Sequence, residues 1–196
     1  MKTVLVQSFG CLIAIVLAAT SHAAQQSGPP VVRWEELPAL PDDLGFGGMY
    51  AGVSGGALIV AGGANFPDEP FWEGGQKRWY DTIYVLEDPK GAWQVAQHKL
   101  PQPMGYGVSV IYQDSLILCG AVVEDRALSD VVQLKWDGLQ IELTELPALP
   151  QTAGYTCGAL LGSTIYIAGG VDHPDATEAL HTFWALDLAV PSGDMA

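Results

Sequence analysis

The chain has 196 residues, 49% of them hydrophobic and 15% charged, with 22 acidic against 8 basic side chains and a formal net charge of −14. One domain of ordinary size fits that length, and the apolar content excludes a disordered chain. The charge argues against nucleic acid or an anionic membrane as partner, because the long-range field of the acidic surface repels phosphates.

In chain order, the N-terminus reads as a secretory signal. Lys2 supplies a positive start, residues 12–19 an apolar stretch, and Ser21-His22-Ala23 a small-x-small cleavage site. The apolar stretch is shorter than the ~20 residues that a membrane span needs. Residues 1–23 are therefore expected to be a leader and the mature protein to be exported, periplasmic or secreted, with no membrane contact after cleavage. Residues 24–30 read as a linker.

Residues 31–41 form one strand-like segment ending in a Leu-Pro stop. Its last six residues, Glu36-Leu37-Pro38-Ala39-Leu40-Pro41, recur letter for letter at 145–150. Three repeats follow, at 47–103, 104–150 and 151–188. Each opens with a glycine-containing strand built from small residues (Gly48-Met49-Tyr50-Ala51, Tyr106-Gly107-Val108-Ser109, Tyr155-Thr156-Cys157-Gly158) and turns at Gly55-Gly56, Gln113-Asp114 or Gly162-Ser163. An apolar run then ends in a glycine pair or its remnant: Gly62-Gly63, Gly120-Ala121, Gly169-Gly170. A polar loop leads to a third strand, at 82–86, 130–134 and 182–186. Trp93 and the region of Ile141 mark a fourth in the first two repeats. The third repeat has none and runs into a tail at 189–196.

A repeat of about 50 residues in this order is the Kelch pattern, one four-stranded blade per repeat. The expected fold is all-β: about three blades, and so half, of a β-propeller ring. Propellers close with roughly four to eight blades, so the remaining half or a second chain is needed to complete the circle. Residues 31–41 fit the outermost strand of a blade whose inner strands come from elsewhere.

Cys119 and Cys157 both lie in apolar runs. A bridge is permitted in an exported protein, but cysteines at strand positions are more often small buried hydrophobes, and that is the reading the pattern favours. Neither has a neighbouring charge in sequence to stabilise a thiolate. Asp172-His173-Pro174-Asp175 reads as a turn, and no metal ligand set or cofactor fingerprint stands out.

The longest loop, 64–81, concentrates the chemistry. Phe66, Phe71, Trp72, Trp79 and Tyr80 offer flat faces for sugar rings, and Lys77 and Arg78 are two of the few cations. With Asn65 and Gln76 they could hold a carboxylate or ring hydroxyl by charge-assisted hydrogen bonds. A self-packed loop, with its cations paired to Asp68, Glu69 or Glu73, accounts for the same residues.

The run Ala61-Gly62-Gly63-Ala64-Asn65-Phe66-Pro67, with residues 74–86 and Met104-Gly105-Tyr106-Gly107-Val108-Ser109, resembles the bacterial cyclically permuted mutarotases. These are Kelch propellers similar to N-acetylneuraminate epimerase, the sialic acid mutarotase. The resemblance covers residues 34–188 and implies a six-bladed ring in permuted order. Repeats one and two resemble the last two blades of the unpermuted order, and repeat three the first. It implies a small sugar acid as substrate, with Asn65, Lys77, Arg78, Trp79 and Tyr80 as substrate-binding residues and no cofactor. It also places the catalytic acid and base in a blade expected beyond Ala196. Glu124-Asp125-Arg126 belongs to a different blade's loop and does not take that role. A non-catalytic propeller that binds glycan or protein through loop 65–81 is the alternative.

Overall fold

The computed structural model describes residues 32–189. The expected leader (1–23), the linker (24–30) and all of the tail but Ala189 lie outside them. The chain divides after Glu35, and the described residues of the first unit, 32–35, are exposed and carry no strand. Among the described residues no helix is long and apolar enough to cross a membrane.

Three antiparallel sheets follow one another, as the repeats require. The first blade contains β1 (Tyr50–Ser54), β2 (Ala57–Ala61), β5 (Ile83–Leu86) and β6 (Gln94–Val95), hydrogen-bonded in that order. Between β2 and β5 the long loop folds into a small ribbon of β3 (Ala64–Asn65) and β4 (Arg78–Trp79), with one 3-10 turn at Phe71–Glu73. The second blade runs β7 (Val108–Tyr112), β8 (Ser115–Val122), β9 (Ala127–Trp136) and β10 (Ile141–Leu146). The third has β11 (Cys157–Leu161), β12 (Thr164–Ala168) and β13 (Phe183–Asp187), with no fourth strand among the described residues. The chain is a partial β-propeller.

Alternation along each middle strand puts one set of side chains toward the preceding blade and the other toward the next. Leu116 and Leu118 of β8 pack with Ile59, Ile83 and Val85 of the first blade; Ile117 and Cys119 pack with Ile165 and Ile167 of the third. Both faces of β8 are therefore buried, which is why it reads as an unbroken apolar run. Polar bonds cross the first junction too. The buried Tyr50 hydroxyl donates to the Gly120 carbonyl at 2.6 Å, and Ser54 Oγ donates to the Asp114 carbonyl while accepting from Trp136 N–H.

The glycine pair has two distinct jobs. Gly62 and Gly120 are left-handed (φ 67° and 63°), and a Cβ on either would lie 2.3 Å from the carbonyl oxygen of Met104 or Ala153, where the next blade begins. That first glycine is obligatory at both junctions. Its partner is not: Ala121 continues β8 after an irregularity between Cys119 and Ala121, so the chain needs no second left-handed residue there.

Two details differ from the sequence reading. Residues 32–41 carry no strand, since a strand forms only where its backbone groups pair with another. The inner strands also start later than the glycine pattern suggests. Tyr106 and Tyr155 are left-handed (φ 59° and 48°) and act as hinges ahead of β7 and β11. Cys119 and Cys157 are not bridged; the first is buried and the second exposed.

Candidate functional site

Loops that follow the second strand of every blade emerge on one face of a propeller, so the long loop of blade one and the short β8–β9 loop of blade two are neighbours by topology. Between them lies an open cleft of about 770 Å³. One wall carries Asp68, Gln76, Lys77, Arg78 and Trp79; the other carries Gln102 with Glu124, Asp125 and Arg126.

Three cations meet there in a strongly acidic chain. Lys77 stands over three rings, with Nζ 5.0 Å from the Tyr106 centroid, 5.2 Å from Trp79 and 5.7 Å from Phe66. Cation–π attraction of this kind holds an ammonium in place at ~0.5–1 kcal/mol per ring without neutralising it. Arg78 reaches Asp68 only at 4.0 Å, with both side chains largely exposed. Arg126 is oriented by Asp125 at 2.9 Å and donates to Gln102 Oε1 at 3.0 Å. Exposed pairs like these contribute ~0–1 kcal/mol. An incoming carboxylate can exchange with them at little cost.

Of the five residues expected to bind substrate, Lys77, Arg78 and Trp79 line the cleft. Asn65 and Tyr80 do not. Asn65 is buried, and its amide donates to Asp42 Oδ1 and the Gly45 carbonyl while its oxygen accepts from the Tyr80 hydroxyl at 2.8 Å. Those bonds use the hydrogen-bonding groups of Asn65 to fix the base of β3–β4, so this pair shapes the loop that presents Lys77 and Arg78. Asn65 also borders a second groove of about 530 Å³, with Phe46, Phe66, Phe71, Trp72 and Tyr106. Phe71 and Trp72 are 72% and 81% exposed there, so the loop aromatics do not close into a core of their own. Burial raises the Tyr106 hydroxyl above the ordinary tyrosine range and keeps it a neutral donor.

Gln102 and Arg126 are additions from the structure. The signal for Arg126 was its place: the β8–β9 loop is the counterpart of 64–81 one blade on. His173 and Asp175 lie in a turn closed by a bond from Asp175 N–H to His173 Nδ1.

The family model for N-acetylneuraminate epimerase matches residues 13–143 of this chain, a span that holds blade one, blade two as far as the start of its last strand, and every residue lining the cleft. The chain belongs to the N-acetylneuraminate epimerase family. N-acetylneuraminate epimerase of Yersinia enterocolitica is 38% identical over 130 residues, covering 57% of this chain and 32% of the relative. The enzyme of that name from Haemophilus influenzae is 34% identical over 125 residues, covering 56% and 32%. Among solved structures, YjhT superposes with a TM-score of 0.51 at 26% identity, over 57% of this chain and 34% of its own. The chain spans about a third of the length of the curated relatives it matches.

Proposed function

We propose that this chain is the sugar-acid-binding part of a mutarotase that interconverts the α and β anomers of an N-acetylneuraminate-like sugar acid. The observation that carries the reading is the cluster of Lys77, Arg78 and Arg126 around one cleft between blades one and two, inside the span shared with the family. A planar carboxylate suits two guanidinium groups and an ammonium facing one another across open space. Trp79, half-buried at the cleft wall, offers a ring face to the sugar.

In such a reaction a base takes the proton of the anomeric hydroxyl while an acid protonates the ring oxygen. The hemiketal opens, and the carbonyl is reclosed on its other face. Positioned groups of this kind typically give ~10²–10⁴-fold each. The cleft supplies binding and orientation, and no residue of this chain is assigned the proton transfers. Export, inferred from the leader-like N-terminus, would place the activity where free sialic acids arrive from outside the cell.

Exchange NMR on N-acetylneuraminate tests the proposal. Anomer exchange faster than in buffer in a product that also carries the catalytic blade expected beyond Ala196, with binding weakened on replacing Arg126 with alanine, is the expected result. Binding without any change in exchange would support the second reading, a non-catalytic glycan-binding propeller, which the exposed aromatics of the neighbouring groove favour. Neither binding nor exchange would overturn both.

A further inference from the structure

We propose that Tyr106 is a positioning residue for the anion site: its ring, contributed by blade two, fixes the Lys77 ammonium of blade one at the cleft. The proposal rests on the sugar-acid reading for its ligand, but not for the placing of Lys77.

The first observation is the backbone at residue 106. The bridges Gly47–Ala64, Gly105–Val122 and Gly154–Val171 mark equivalent positions in the three blades. The residue after the first partner of each bridge is left-handed: Gly48 (φ 68°), Tyr106 (φ 59°) and Tyr155 (φ 48°). Glycine takes that conformation freely, whereas a residue with a Cβ is strained in it. Blade one shows that glycine serves the hinge, so the hinge alone does not call for tyrosine. Strain that the surroundings hold in place points to what the side chain does. The neighbouring blades do hold it. Tyr106 N–H donates to the Gly48 carbonyl at 2.8 Å, and the Tyr106 carbonyl accepts from Tyr155 N–H at 2.7 Å.

The neighbours of the ring show its task. It lies flat against Gly48, where a Cβ would come within 2.5 Å of the ring atoms. Tyr155 backs it with centroids 4.9 Å apart, and Trp79 meets it edge-on at 5.6 Å. Lys77 Nζ stands 5.0 Å from its centroid, nearer than to Trp79 or Phe66. Among the described residues Lys77 makes no ion pair, so aromatic faces are what hold the ammonium. A carboxylate partner would place the ammonium as well but would neutralise it. A ring leaves the charge free for a ligand. Burial keeps the Tyr106 hydroxyl protonated, so no phenolate competes for Lys77.

Tyr106 borders the neighbouring groove, whereas Lys77 and Trp79 line the cleft itself. It therefore acts on a bound anion through Lys77. A lysine held in this way has less rotamer freedom left to lose when a carboxylate arrives, which strengthens binding.

NMR on the protein with 13C-labelled lysine, alone and titrated with N-acetylneuraminate, tests this. Ring currents should shift the ε-methylene protons of Lys77 upfield of the other lysines, with Lys77→Met identifying the signal. Tyr106→Phe should keep that shift, and Tyr106→Leu should move it toward the position of an exposed lysine. Tyr106→Leu should also weaken N-acetylneuraminate binding ~3–10-fold, while Tyr106→Phe binds as the parent does. In a Lys77→Met background the leucine substitution should have no further effect, because the two residues act as a unit. Should Tyr106→Leu not fold, pentafluorophenylalanine in place of Tyr106 keeps the ring's shape and removes its attraction for a cation, and the same loss is expected. A Lys77 signal that is unshifted in the parent, or indifferent to the loss of the ring, would overturn the proposal. So would an equal loss of binding with and without Lys77. Absence of N-acetylneuraminate binding to the parent would overturn the sugar-acid reading instead, and the Lys77 signal, read without ligand, then decides the positioning.

Discussion

Two buried polar side chains show at residue scale how tightly the blades are locked. Burial pushes the Cys119 thiol up from 9.0 to about 12, and burial also raises the Tyr50 hydroxyl beyond the ordinary tyrosine range. Both groups therefore fold in their neutral forms. For an acid whose folded pKa is raised, the unfolded state gives up its proton first, so stability is complete below the unfolded value and falls as pH climbs between the two. The protein should lose stability progressively from about pH 9 toward pH 12, in the window set by the Cys119 shift. Denaturant titrations across that range check it. Cys119→Ala should flatten the first part of the decline, while leaving the part that begins near the ordinary tyrosine value of 10.0, which belongs to Tyr50. An unchanged pH profile in Cys119→Ala would remove the thiol from the account.

Strand order, hairpin turns and the number of blades were legible at the scale of elements because each rests on local chemistry that repeats. Gly55-Gly56 and Gln113-Asp114 all take positive φ, as tight hairpins demand, and the apolar runs became β2, β8 and β12. The glycine pair carried more information than its letters showed. At both junctions a Cβ on its first member would run into a carbonyl of the next blade, so Gly120→Ala should cost at least ~1–3 kcal/mol from its left-handed backbone. Ala121→Gly, in an extended position, should cost only ~0.5–1 kcal/mol. Equilibrium unfolding of the two variants checks the contrast, and equal losses would contradict it. What the sequence could not show was contact across repeats. Nothing in the 64–81 loop says that Asn65 and Tyr80 bond each other inward while Lys77 faces out, or that Arg126 lies opposite. Likewise, the strand propensity of residues 32–37 is visible, but a strand is a property of a pair, and none forms there.

At the scale of the whole molecule, a strongly acidic chain of this family gathers Lys77, Arg78 and Arg126 around a cleft that Asp68, Glu124 and Asp125 also line. The field of a chain with net charge −14 repels anions at long range. On the function proposed above, a sugar acid would be held by short-range pairing rather than by steering, and its affinity should depend on the individual cations more than on bulk ionic strength. The most direct test is titration of N-acetylneuraminate into the protein and into Lys77→Ala, Arg78→Ala and Arg126→Ala, followed by NMR. Saturable binding is predicted, weakened about 10–100-fold by loss of Arg126, in line with ~1.5–3 kcal/mol for a hydrogen bond to a charged group. Binding that is equally tight in all three variants would contradict the assignment of the cleft.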